Sequence, residues 1–160
     1  MKALNLLFKT DNQVSTLLLR LLLGVLFFPH GAQKVLGWFG GYGFSGTMAF
    51  FTGVMHVPTL FAFLAIAAEF AGAIALMLGL FTRVAAFGIA ANMVVAVAMV
   101  HSQFGLFMNW SGTQKGEGFE FHLLAIAIAI VLFIRGGGKW AADTAIENSL
   151  HTIGLNPVAA

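Results

Sequence analysis

The segment VPTLFAFLAIAAEFAGAIALMLGLF, residues 57–81, carries a single charge, Glu69, in an otherwise apolar run. A hydrocarbon core of about 30 Å takes roughly 20 helical residues to cross, so this stretch predicts a membrane-spanning helix. Ala65, Ala68, Glu69, Gly72 and Gly79 recur at i, i+3, i+4, i+7 spacing and share one face. Small residues let helices approach closely in lipid, so Glu69 is expected to lie against protein.

Three further runs have the same character. Val14–Gly37 is interrupted by Arg20, Pro29, His30, Gln33 and Lys34; Val84–Val100 is uncharged; Phe121–Ile134 is shortest. The last gains length if it starts at Phe119, which brings Glu120 and His122 to the membrane surface. The Ala-Ile alternation over 125–130 has the period of a strand, but an unpaired strand would leave backbone polar groups bare in lipid. Read as a helix, it puts Ala125 and Ala129 on one ridge, with His122 on the same face.

Composition agrees. Of 160 residues, 59% are hydrophobic and 9% charged, against about 25% charge in soluble domains, so soluble classes are excluded. A net charge of +2 from scattered basic residues leaves no patch for nucleic acid. Without cysteine, thiol chemistry and thiolate metal ligation are absent.

The expected architecture is an all-α, integral membrane four-helix bundle forming a single domain over 1–160. Its helices run over about 14–37, 57–81, 84–101 and 119–135, with a short cytoplasmic tail at 136–160. Lys2 and Lys9 precede a leucine-rich run as in a signal peptide, but the run is too long and holds Arg20, so it is read as retained. Lys2, Lys9, Arg83, Arg135 and Lys139 fall on one side and Lys34 and Lys115 on the other, which predicts cytoplasmic N- and C-termini. Arg20, Arg83 and Arg135 are expected to snorkel to the inner headgroups, Arg20 having a tail acid such as Asp143 as its alternative partner.

Between helices one and two, Ser45 is the expected N-cap of a short interfacial or re-entrant helix over 47–55. Trp38, Phe39, Tyr42, Phe44, Phe104, Phe107 and Trp110 suit the headgroup boundary, or a lid over the outer end of the bundle.

An ionisable group at the centre of a membrane helix costs about 2.5–3.5 kcal/mol on insertion scales and needs a partner or a purpose. His30, Lys34, Glu69, His101, Glu120 and His122 all fall in the outer half. Pro29 frees the Val25 carbonyl, and a kink there would open a pocket. The catalytic candidates are Glu69 and His30, as proton acceptors; Lys34, Gln33, His101, Glu120, His122 and Trp38 are candidate ligand-binding residues. A carboxylate and imidazoles beneath an aromatic rim can exchange protons with a quinone or small aromatic molecule. Asn92 reads as interhelical glue, and His101, about 180° around the helix from it, as serving a different neighbour. His30, His101, His122 and Glu69 are a nitrogen-and-oxygen set for a metal or haem, yet no HExxH or Glu-x-x-His spacing supports one, and no metal ligand is assigned. His56 and His151 receive no role.

Arg20, His30-Gly31-Ala32-Gln33-Lys34, Glu69, Gly72, Gly79-Leu80-Phe81-Thr82-Arg83, His101, Gly118-Phe119-Glu120-Phe121 and the glycine run with Asp143 occur in an order and spacing that resembles the DoxX family of small four-helix bacterial membrane proteins. The resemblance covers about Leu17 to Asp143, and His122 departs from it. It implies a bacterial cytoplasmic-membrane protein tied to redox metabolism: relatives include a subunit of thiosulfate:quinone oxidoreductase and components linked to quinones, catechols or oxidative stress. His30, Lys34, Glu69 and Glu120 are the positions it carries over. No redox cofactor motif is visible, so the chain is expected to act as a subunit beside a redox partner protein. A non-catalytic scaffold supporting envelope integrity and a small-solute transporter are the other two readings. Small-residue faces leave homo-oligomers open.

Overall fold

A computed structural model describes residues 6–152, the His151 side chain excepted. Lys2 and the end of the expected tail, 153–160, lie outside the described residues.

All regular elements of the described chain are helical, without strands. Helix α1 spans Val14–Leu36 and runs unbroken through Pro29. A short helix α2, Gly43–Ala49, continues into a π turn over Phe50–Val54. Then come α3, Thr59–Leu78, and α4, Thr82–Ala96, which passes through a π turn at Val97–His101 and a 3-10 turn at Ser102–Phe104. Helix α5 covers Glu120–Arg135 and α6 Ala142–Thr152. The 125–130 alternation is helical, as expected. Ser45 is not the cap of the short helix, which already starts at Gly43.

Val14–Leu36, Thr59–Leu78 and Thr82–Phe104 are long and apolar enough to cross a membrane. At 16 residues, α5 measures about 24 Å. Helices α1, α3, α4 and α5 share one core, in which Leu23 and Phe27 meet Ala73 and Leu76, Ile89 and Met93, and Ala125, Ala129 and Leu132. Large apolar side chains also cover the outside, among them Leu18, Phe61, Val84, Phe87, Leu124 and Ile134. Water would penalise so continuous an apolar surface, whereas hydrocarbon matches it.

Glycine decides where α1 meets α3. A Cβ on Gly31 would stand 2.5 Å from Phe70 Cα and 2.8 Å from the Glu69 carbonyl carbon; one on Gly24 would stand 3.0 Å from the Ala73 carbonyl oxygen. The two backbones therefore touch along this face, as small residues permit in lipid.

The end of the bundle that holds the α3–α4 turn is closed by polar side chains that were expected in headgroups. Arg20 is buried, at 1% exposure. Its Nη1 donates to the Leu76 and Met77 carbonyls (2.7 and 2.8 Å), and its Nε to Gly137 O (2.8 Å). These carbonyls lie at the end of α3 and in the glycine-rich turn, and a guanidinium carries enough donors to serve both, which corrects the snorkelling assignment. Arg83 likewise donates to Phe133 O, Ile134 O and Lys9 O, closing the end of α5. Arg135 remains an exposed partner of Asp11 at 3.5 Å.

Gly79-Leu80-Phe81 forms a tight turn after α3. Leu80 N donates to Ala75 O and Gly79 N to Leu76 O, with Gly79 at φ 67°. Asp143, from the start of α6, then accepts from Phe81 N (2.7 Å) and Thr82 N (2.9 Å), satisfying the first donors of α4. The tail thus caps a membrane helix.

Gly31→Ala should lower the thermal midpoint in detergent by an amount equivalent to about 1–3 kcal/mol of overpacking. Gly53→Ala, where an added Cβ meets nothing within 4 Å, should leave it unchanged.

Candidate functional site

The close approach at Gly31 carries Lys34, one helical turn further along α1, to Glu69 on α3. Lys34 Nζ donates to Glu69 Oε2 at 2.5 Å, with side-chain exposures of 23% and 7%. Asn92 Nδ2, from α4, donates to Glu69 Oε1 at 2.7 Å. The α3–α4 seam makes this reach short, because Gly88 would put a Cβ 3.3 Å from Ala68 Cβ and Gly72 one 3.8 Å from Ile89. Glu69 is therefore held by α1 on one oxygen and α4 on the other. A carboxylate offers about four acceptor sites, so capacity remains for a further donor.

Beside this junction lies a cavity of about 1350 Å³ along the α3–α4 face, lined from Phe61 to Ala75 on α3 and from Phe81 and Val84 to His101 on α4. Ala65, Ala68 and Gly72 form one wall and Gly88, Ala96 and Met99 the other; Phe50 and Phe51 stand at the rim. Its lining is predominantly apolar, with polar groups from all four long helices: His30 and Lys34, Glu69, Asn92 and His101, and His122. His30 is exposed, and its ring lies 6.3 Å from that of Phe27 and 6.4 Å from that of Phe121. Few polar groups converging in an apolar concavity is the usual form of a small-molecule site.

Asn92 and His101 face this one cavity, contrary to the sequence expectation. The π turn at Val97–His101 explains it: Ser102 N donates to Val97 O, five residues back, so each residue rotates less than in an α-helix. The extra residue turns His101 toward the face that Asn92 shares. Its ring sits 4.0 Å from the His122 ring, and its Nδ1 lies 2.8 Å from Glu117 O.

Three candidates stand elsewhere. Gln33 Nε2 donates to Phe39 O (3.3 Å), Trp38 packs edge-on against Phe28, and neither lines the cavity. Glu120 Oε1 accepts from Met108 N (2.9 Å) and Trp110 Nε1 (3.0 Å), which pins the loop between α4 and α5. Among the described residues, no three His, Asp or Glu side chains gather as a metal-binding group. Asn92 makes the interhelical hydrogen bond expected of it and, beyond that expectation, also lines the cavity; its place on the Gly88–Asn92–Ala96 stripe, the α4 edge that meets the Glu69 face, was the available signal.

Replacing Lys34 by Leu leaves a carboxylate in an apolar seam without its cation. Stability in detergent should fall by on the order of 3 kcal/mol, and Lys34→Leu combined with Glu69→Leu should recover most of it. Thermal or denaturant unfolding followed by circular dichroism measures both.

The chain matches the family model described as DoxX over residues 15–102. It is 33% identical over 131 residues to a Bacillus subtilis (strain 168) protein named "Putative oxidoreductase CatD", an alignment covering 82% of this chain and 86% of that one. No solved structure matches it. With the family model spanning more than half of the chain and the alignment running through the Lys34–Glu69–Asn92 junction, this membrane protein belongs to the DoxX family.

Proposed function

We propose that the chain is a membrane subunit of a redox system that binds a quinone or small aromatic molecule in the α3–α4 cavity, with Glu69 and His30 as proton acceptors. The observation that carries this reading is the shared cavity: a carboxylate with unused acceptor capacity and an accessible imidazole line one apolar chamber. A quinol losing two electrons also releases two protons. Glu69 and His30 take up the protons, and the electrons pass to a redox group held by a partner protein. The oxidoreductase name of the Bacillus subtilis relative supports the redox class. A purely structural role for the junction is the competing account, favoured by the pairing of each Glu69 oxygen with a donor from a neighbouring helix.

In this reading α5 is the fourth span, its ends thinning the bilayer locally or exposing Glu120 to the outer surface. Lys9, Arg83 and Arg135 are joined at one end of the bundle by the Arg83–Lys9 and Arg135–Asp11 contacts. The positive-inside rule assigns that end to the cytoplasm of a bacterial inner membrane, with both termini there. A fluorescent protein fused after residue 160 should therefore glow, and alkaline phosphatase at the same position should stay inactive; the reverse pattern overturns this topology.

Gently extracted protein should bind a short-chain ubiquinone analogue, measured by equilibrium dialysis. Glu69→Gln should weaken binding at least tenfold while the helical circular dichroism signal is kept. Loss of fold in Glu69→Gln, with no binding by the parent protein, would decide for the structural account.

A further inference from the structure

The His101–His122 pair is not used by the proton-accepting role of Glu69 and His30, and its hydrogen bonding determines its tautomers. His101 Nδ1 lies 2.8 Å from the Glu117 carbonyl oxygen. A carbonyl can only accept, so Nδ1 carries the hydrogen, and in the neutral ring Nε2 is a bare acceptor. His122 is buried, and its Nδ1 is sealed from solvent without a hydrogen-bond partner. An N–H sealed without an acceptor is the costlier arrangement, so the hydrogen sits on Nε2 and Nδ1 holds the lone pair. Both residues line the cavity, and their rings are 4.0 Å apart. One ring therefore presents an acceptor and its neighbour a donor.

We infer that His101 and His122 form a subsite that recognises a hydroxyl group, and specifically an aromatic hydroxyl. A hydroxyl donates to His101 Nε2 while its oxygen accepts from His122 Nε2–H. A carbonyl oxygen satisfies only the second contact and sets its lone pairs against that of His101. The subsite thus prefers the reduced, phenolic form of a ligand over its oxidised, carbonyl form. The aromatic class follows from the rings around the pair: Phe121 lies 5.8 Å from His122 and 6.1 Å from Phe27, all within the same cavity wall. This inference rests on the reading of the cavity as a site for a quinone or small aromatic molecule.

Nitrogen-15 spectra of histidine-labelled protein in detergent micelles at neutral pH should show His101 as the Nδ1–H tautomer and His122 as the Nε2–H tautomer. Either ring in the opposite tautomer, or charged, overturns the assignment without involving any ligand. Two redox-stable probes, 4-methoxyphenol and 1,4-dimethoxybenzene, then test recognition by equilibrium dialysis. The phenol should bind about tenfold more tightly, and this preference should vanish in His101→Phe and His122→Phe. His122→Gln, whose amide can replace the Nε2–H donor, should retain part of it. Binding of both probes that is weakened by Glu69→Gln but shows no histidine-dependent preference overturns the subsite and leaves the cavity reading standing. Failure of both probes to bind overturns the two together, and octan-1-ol competing as strongly as the phenol would overturn the aromatic assignment.

Discussion

The ion pair between Lys34 and Glu69 is the constraint around which the membrane-embedded part of the molecule is organised. A carboxylate in hydrocarbon must find a cation or a donor, and Glu69 finds one on each neighbouring helix, Lys34 from α1 and Asn92 from α4. That is feasible only because Gly31 lets α1 lie directly on the Glu69–Phe70 backbone. Burial, close packing and charge neutralisation are thus one arrangement seen from three sides. The cavity borders this junction, so whatever enters it meets a carboxylate already held in place.

The two ends of the bundle handle polar groups differently. At the end nearer Lys9 and α6, Arg20, Arg83 and Asp143 are consumed by the backbone: the arginines serve carbonyls where α3 and α5 stop, and Asp143 serves the amides where α4 begins. At the opposite end, π turns occur in Phe50–Val54 and Val97–His101, and His101 and His122 line the cavity. The histidine pair thus stands where regular helical bonding is relaxed, a setting in which functional sites often occur.

Much of the fold was legible because lipid leaves few solutions. Apolar runs of spanning length, glycines at 37, 79 and 136, and the small-residue stripe around Glu69 correspond to helices, helix ends and the α1–α3–α4 contacts. The site was legible in part: His30, Lys34, Glu69, His101 and His122 line the cavity, whereas Gln33, Trp38 and Glu120 stand outside its wall. Those three are polar or aromatic residues near the surface, and spacing alone does not tell a cavity wall from a loop anchor. Arg20 was misjudged for a similar reason, since its partners are backbone carbonyls that no side-chain pattern reports.

By itself, the sequence determined that the chain must be helical and buried in lipid, because its apolar runs and scarce charges leave no other way to satisfy the backbone. It also determined that Glu69 needs a partner, because a lone charge in hydrocarbon is too costly. Only the tertiary structure decided which partners those are and which histidines meet. A partner on another helix depends on crossing geometry, and the His101–His122 approach depends on a π turn whose single extra residue rotates the helix end in a way that regular 3.6-residue periodicity does not contain.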